Sequence, residues 1–167
     1  MATWSVSEPR ITLRLHDEPL AYEPGRGPRV SFQLFYRQAG SLPEDTTIFS
    51  VGNNWSCSFR AFVYGPRWGY GEAMLHRGGA GWIDYQAAVP QRQDGSLIGD
   101  VVGGGFQITN RDGSLDTYTT AFSDGTNDTV YLLTTKSDPA GNSLAFNYST
   151  ASGILRLTSV TDADGHS

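Results

Sequence analysis

With Cys57 as its only cysteine, the chain can form no intramolecular disulfide, so no covalent staple holds the fold. Cys57 sits in the alternating run Trp55-Ser56-Cys57-Ser58-Phe59, where a small buried thiol is expected rather than a nucleophile. Lysine is almost missing as well: Lys136 stands alone among 12 basic residues, and the arginines are scattered. With a net charge of −5 and a pI near 5.0, the chain has no basic patch interleaved with aromatics, which argues against a nucleic-acid partner. No apolar run approaches the ~20 residues that span a bilayer. Residues 1–5 show neither a basic n-region nor an apolar h-region. No membrane partner is expected, and the cytoplasm is the default compartment. Three Asn-X-Ser/Thr triplets, at Asn54, Asn127 and Asn147, would matter only in a secretory pathway.

The chain is rich in turn and strand formers. It has 20 glycines, 8 prolines and many Thr, Val, Tyr, Phe and Trp, with few residues that favour helix interiors. Ile11 to Leu15 alternates as a half-buried strand that Asp17-Glu18-Pro19 should end. After the breakers Pro24-Gly25-Arg26-Gly27-Pro28, a second strand places Val30, Phe32, Leu34 and Tyr36 on one face. A short strand is expected from Thr47 to Val51, and another through Trp55, Cys57, Phe59 and Ala61. Residues 65–81 read either as a long functional loop or as two short strands. From Phe106 onward, β-prone runs alternate with Asp112-Gly113, Asp124-Gly125 and Asp138-Pro139-Ala140-Gly141, the pattern of a hairpin meander. The expected fold is all-β, an antiparallel β-sandwich or β-meander of hairpins with little or no helix. The 167 residues should make one domain: a β segment over 1–63, a glycine- and aromatic-rich loop region over 64–97, and repeat-like hairpins over 98–167.

Asp138-Pro139-Ala140-Gly141-Asn142 recurs 24 residues later as Asp162-Ala163-Asp164-Gly165-His166, the spacing of a stacked hairpin unit. Between them lie Tyr148, Gly153, Leu157, Val160 and Thr161. This stretch resembles the tyrosine-aspartate (YD) repeat of RHS proteins: a Tyr closing a strand, a Gly turn, then LxxVTDxxG. Ser149 departs from it, standing where the repeat usually has Asp. The run RDGSLDTYT (111–119) adds a partial copy. SEPRITLRLHDEPLAYEPGRGPRVSFQLFYRQ and FSVGNNWSCSF are similar to the segment that precedes the repeats in some large RHS-like bacterial proteins. Residues 64–97 stay unmatched. The resemblance implies a structural or assembly module at the front of a repeat shell, able to self-associate through an open β edge.

Two other functions are readable in the residues. The loops holding Asp112 and Asp116, Asp124 and Asp128, and Asp162 and Asp164 offer the oxygen donors that Ca2+ prefers, although none completes a helix-loop-helix calcium pattern. Asp and Gly also serve simply to make turns. A bound calcium would suit a small hydrolase of esters or lactones, with the cation polarising a carbonyl for a carboxylate-activated water. The three histidines are too scattered to suggest zinc, Gly141-Asn142-Ser143-Leu144-Ala145 lacks a nucleophile elbow's setting, and Gly103-Gly104-Gly105 lacks the Lys of a phosphate loop. The third function is a carbohydrate-binding module, with Trp68, Tyr70, His76 and Trp82 as ligand-binding residues for a small molecule or glycan. Glu72 and Asp84 flank these aromatics, as paired acids would beside a sugar cleft.

Overall fold

A computed structural model describes residues 2–7, 12–38, 48–65, 72–123 and 129–167, the side chains of Ser7 and Glu72 excepted. The fold is all-β and antiparallel, and no helix occurs among the described residues. The first sheet has strand order β1 (Thr3–Ser7), β2 (Thr12–Tyr22), β3 (Val30–Arg37), β4 (Trp55–Cys57). The second takes in β5 (Ala61–Tyr64), β6 (Glu72–Arg77), β7 (Gly81–Gln86), β8 (Leu97–Asp100), β9 (Phe106–Thr109), β10 (Leu115–Ser123), β11 (Thr129–Ser137), β12 (Ser143–Ala151) and β13 (Ile154–Thr161). Its main path runs β7-β6-β5-β11-β10-β9-β8 and curls nearly into a barrel. The two ends meet where the Tyr85 hydroxyl of β7 lies 2.7 Å from the Ser96 hydroxyl just before β8. The interior is packed solid with Val63, Leu75, Tyr85, Ile108, Tyr118 and Leu133.

Strand β11 serves two neighbours along one edge. Val130, Tyr131 and Leu132 pair with β5, whereas Thr135, Lys136 and Ser137 pair with β12. The fork falls at Leu133–Thr134, where matched irregularities interrupt the β10–β11 ladder. The Thr134 hydroxyl repairs the gap, accepting from the Thr119 N–H at 3.0 Å and donating to the Thr117 carbonyl at 2.9 Å. Tyr148 of β12 plugs the fork itself, donating its hydroxyl to the Leu133 carbonyl at 2.7 Å. Its ring packs against the barrel interior and against a second core made by Ile48, Phe62, Val130, Leu132 and Leu155.

The C-terminal hairpins repeat one turn. In residues 110–114, 138–142 and 162–166 the first N–H reaches the fifth carbonyl, and the fourth N–H returns to the first carbonyl. The fourth residue is Gly113, Gly141 or Gly165, at φ of 85°, 88° and 88°, the left-handed region that only glycine enters without strain. The β2–β3 loop docks on the last of these turns. Tyr22 donates its hydroxyl to Asp162 at 3.0 Å, and the Arg26 guanidinium bonds the Asp164 carboxylate at 3.0 Å. Phe59, in the link between the sheets, stands 5.4 Å from Phe32 and 5.5 Å from Phe146.

Several local expectations change. β2 does not stop at Asp17-Glu18-Pro19 but runs to Tyr22, because a register shift between Asp17 and Leu20 accommodates the proline without a ladder bond. Trp55 to Ala61 is not one strand: the chain turns at Ser58–Arg60 and changes sheet. Of the strand expected over Thr47 to Val51, Thr47 lies outside the described residues, and over 48–51 Ile48 makes a single parallel bridge to Leu155 in place of a strand. Of the two readings of residues 65–81, the strand reading describes 72–81, which β6 and β7 occupy; residues 66–71 lie outside the described set.

Three substitutions test these supports. Tyr148→Phe would leave the Leu133 carbonyl unpaired in the core and should cost about 1–3 kcal/mol, read as a lower denaturation midpoint at unchanged slope; an unchanged midpoint would deny the hydroxyl its role. At Gly78 a Cβ would lie 1.8 Å from the Cys57 carbonyl oxygen, whereas at Gly99 it would meet nothing within 4 Å. Gly78→Ala should therefore lose about 1–3 kcal/mol by overpacking, while Gly99→Ala in β8 should be neutral or slightly stabilising. Equal thermal shifts for the two would contradict the close approach.

Candidate functional site: an arginine- and aromatic-lined cleft

The chain switch at Ser58–Arg60 lays one face of the first sheet across the outside of β5, β6 and β7. Between them lies a cleft of about 510 Å³, inside the ~300–1,000 Å³ range of small-ligand sites. Alternation along the strands decides what faces it. Arg14 and His16 on β2 share a face with Phe35 and Arg37 on β3 and Ser56 on β4. The opposite wall holds Arg60, Phe62 and Tyr64 before and along β5, His76 on β6 and Trp82 on β7. The β6–β7 turn shuts one end, so close that a Cβ on Gly79 would stand 2.7 Å from the Phe35 ring.

The aromatic wall is continuous. His76 stacks on Phe62 at 4.7 Å between ring centroids and meets Trp82 edge-on at 4.9 Å, and Tyr64 leans on Trp82 at 5.6 Å. Trp82 remains 40% exposed, unusual for so large an apolar ring, and so offers a free surface to the cleft. Arg60 is only 2% exposed; its Nε donates to the Phe49 carbonyl at 3.1 Å, and its guanidinium carbon lies 5.3 Å from the Phe62 ring centre. On the facing wall His16 stacks on Phe35 at 5.0 Å.

Burial, reinforced by the nearby Arg60 charge, holds the His76 imidazole down at about 4, although a backbone hydrogen bond to Arg60 works the other way. The ring is neutral at pH 7. Its Nδ1 and the Ser56 hydroxyl are buried without a hydrogen-bond partner among the described residues. Arg77 also touches the cleft, but its guanidinium turns into the barrel and pairs with Asp116 at 3.1 Å.

The residues singled out from the sequence divide. His76 and Trp82 come together in this cleft, whereas Trp68 and Tyr70 lie outside the described residues, as do Asp124 and Asp128. Glu72 opens β6 with its side chain outside that set, and Asp84 is exposed on β7. The other aspartates are held apart, each by its own surroundings. Asp112 accepts from the Ser114 N–H and hydroxyl, which lower its carboxyl below the usual range. Asp116 is interior, between Arg77 and Lys136. For Asp162 burial opposes ionisation, but the His166 N–H, the Tyr22 hydroxyl and the Asp164 N–H outweigh it and its carboxyl is lowered. Asp164 is lowered first by Arg26. Among the described residues no three of His, Cys, Asp and Glu converge as a metal site. Sequence reasoning missed Arg14, Arg37 and Arg60. A charged residue inside Phe59-Arg60-Ala61-Phe62 was a legible signal, but the meeting of Arg14 with Arg37 depends on strand register.

His76 has a pH signature. Its folded value is depressed below the ordinary ~6.5, so the unfolded chain binds the proton more readily between roughly pH 6.5 and 4. The stability gained from the neutral ring is complete above that window and falls as pH drops through it. NMR titration should find one histidine midpoint near 4; three midpoints all close to 6.5 would show that His76 is not buried against Arg60.

Compared with known protein families and with curated proteins, the chain matches none.

Proposed function

We propose that this protein is a binding module, and that its ligand is a ring-bearing molecule of the carbohydrate type held in the inter-sheet cleft. The observation that carries this reading is Trp82, left 40% exposed beside Tyr64, Phe62 and His76 in a cleft of sugar size. Sugar rings present one apolar face of C–H groups and a rim of hydroxyls. An exposed indole suits the face, while the polar side chains of the facing wall, Arg14, His16 and Arg37, suit the rim. Strands β5 to β7 are each tied to the barrel, so the platform is organised before a ligand arrives, which limits the ordering cost of binding.

The scaffold reading accompanies this one. A module that starts an RHS-like YD-repeat array is supported by the recurrence of one hydrogen-bonded turn at residues 110–114, 138–142 and 162–166, and by Tyr148 at the junction of two cores. In that reading the β2–β3 loop caps the last turn through Tyr22 and Arg26. The exposed edge strand β1, with Trp4 74% and Val6 50% exposed, is a place for a further chain to add.

Calorimetry against a panel of neutral and acidic oligosaccharides tests the binding role. At least one should bind, and Trp82→Ala should weaken it at least tenfold, which corresponds to about 1.4 kcal/mol. Full affinity in Trp82→Ala, with the variant folded by circular dichroism, would sink the stacking platform.

A further inference from the structure

We infer that the ligand of this cleft is acidic: a sugar carrying a carboxylate, gripped by Arg14 and Arg37. The inference rests on the binding reading above and adds the charge of what is bound. The protein carries a net −5, yet every described lining side chain that is charged at neutral pH or titrates near it is an arginine or a histidine. No described carboxylate lines the cleft; Asp84, two residues from Trp82, lies outside it.

Strand register sharpens the point. Arg14 and Arg37 are direct partners across the β2–β3 pair, and like charges placed opposite one another in an antiparallel sheet repel. Neither forms an ion pair with a described carboxylate, whereas Arg26, Arg29 and Arg77 all do. Arg60, buried on the facing wall at 2% exposure, is engaged by the Phe49 carbonyl and the Phe62 ring. A bound carboxylate would relieve the repulsion and match the planar fork of a guanidinium with two parallel hydrogen bonds. With His76 neutral, the arginines carry the positive charge at pH 7.

The test is calorimetry on the full chain with a galacturonic acid trisaccharide, its neutral galactose counterpart and uridine monophosphate, each at low and high salt. The acidic trisaccharide should bind roughly tenfold or more tightly than the neutral one, as expected for charge-assisted hydrogen bonds. High salt should erode that advantage. Arg14→Gln and Arg37→Gln should each weaken the acidic sugar by roughly tenfold while sparing the neutral one, and Arg156→Gln on β13 should change neither. Arg14 is exposed, so its variant keeps the test alive if Arg37→Gln fails to fold. Equal affinity for the two sugars, or indifference to salt and to both arginine variants, would overturn the acidic ligand and leave the stacking platform standing. Uridine monophosphate binding with neither sugar would overturn the sugar and keep only an anion site. Binding of none of the three would overturn both readings.

Discussion

One hydroxyl and one carbonyl hold the two halves of this protein in register. Where β11 leaves β5 and takes up β12, the backbone at Leu133 lies between two neighbours, and Tyr148 reaches in to bond its carbonyl at 2.7 Å. A buried carbonyl with no partner would cost on the order of 1–3 kcal/mol, so the fork needs such a plug wherever it is dry. The ring that brings the hydroxyl also fills the seam between the two cores. Everything beyond the fork is therefore secured by a side chain as much as by a ladder. The hairpin β12–β13, the repeated turns and the docking of the β2–β3 loop all lie on that side.

The cleft exists because the first sheet cannot join the second. At Ser58–Arg60 the chain turns out of one ladder and into the other, and Gly78 leaves room for the β6–β7 turn to press on that link. The sheets meet along this line and diverge away from it, which leaves a wedge between a polar face and an aromatic one. In the wedge the polar face is cationic, against the sign of the whole molecule. Net charge was a poor guide to this site. A sum over 167 residues does not say where opposite signs are gathered.

How much of this could be read from the sequence differs element by element. The all-β class, the β3 face of Val30, Phe32, Leu34 and Tyr36, and the late hairpins followed from period-two alternation and Asp-Gly turns, which are local signals. β8 went unread because Leu97–Asp100 contains a glycine and is flanked by turns, and β1 because an edge strand with outward Trp4 has no buried face to mark it. Proline at position 19 misled for a related reason: a bulge in the β2–β3 ladder lets a strand carry it. In the site, Trp82 and His76 were conspicuous as aromatic or titratable residues among glycines. Arg14 and Arg37 were not, since they lie 23 positions apart and only the β2–β3 register brings them together. The aspartates were conspicuous for a different reason: a carboxylate that closes a turn and one that awaits a cation look the same until their hydrogen bonds are known.

The paired irregularities at Thr119 and Thr134 work like a double frameshift. Up to Tyr118 the even positions of β10 point into the barrel, and beyond Thr119 Phe122 points to the second core instead. On β11, Leu133 and Lys136 face the same side although they are three positions apart. Each strand slips by one residue at the same height, so the partners come back into step while both exchange faces, and the two threonine hydroxyls lie 2.9 Å apart at the crossing. A deletion in either strand alone would turn every downstream side chain inside out. Only a matching deletion in the other would restore the phase, so these two positions, far apart in the chain, are bound to change length together or not at all.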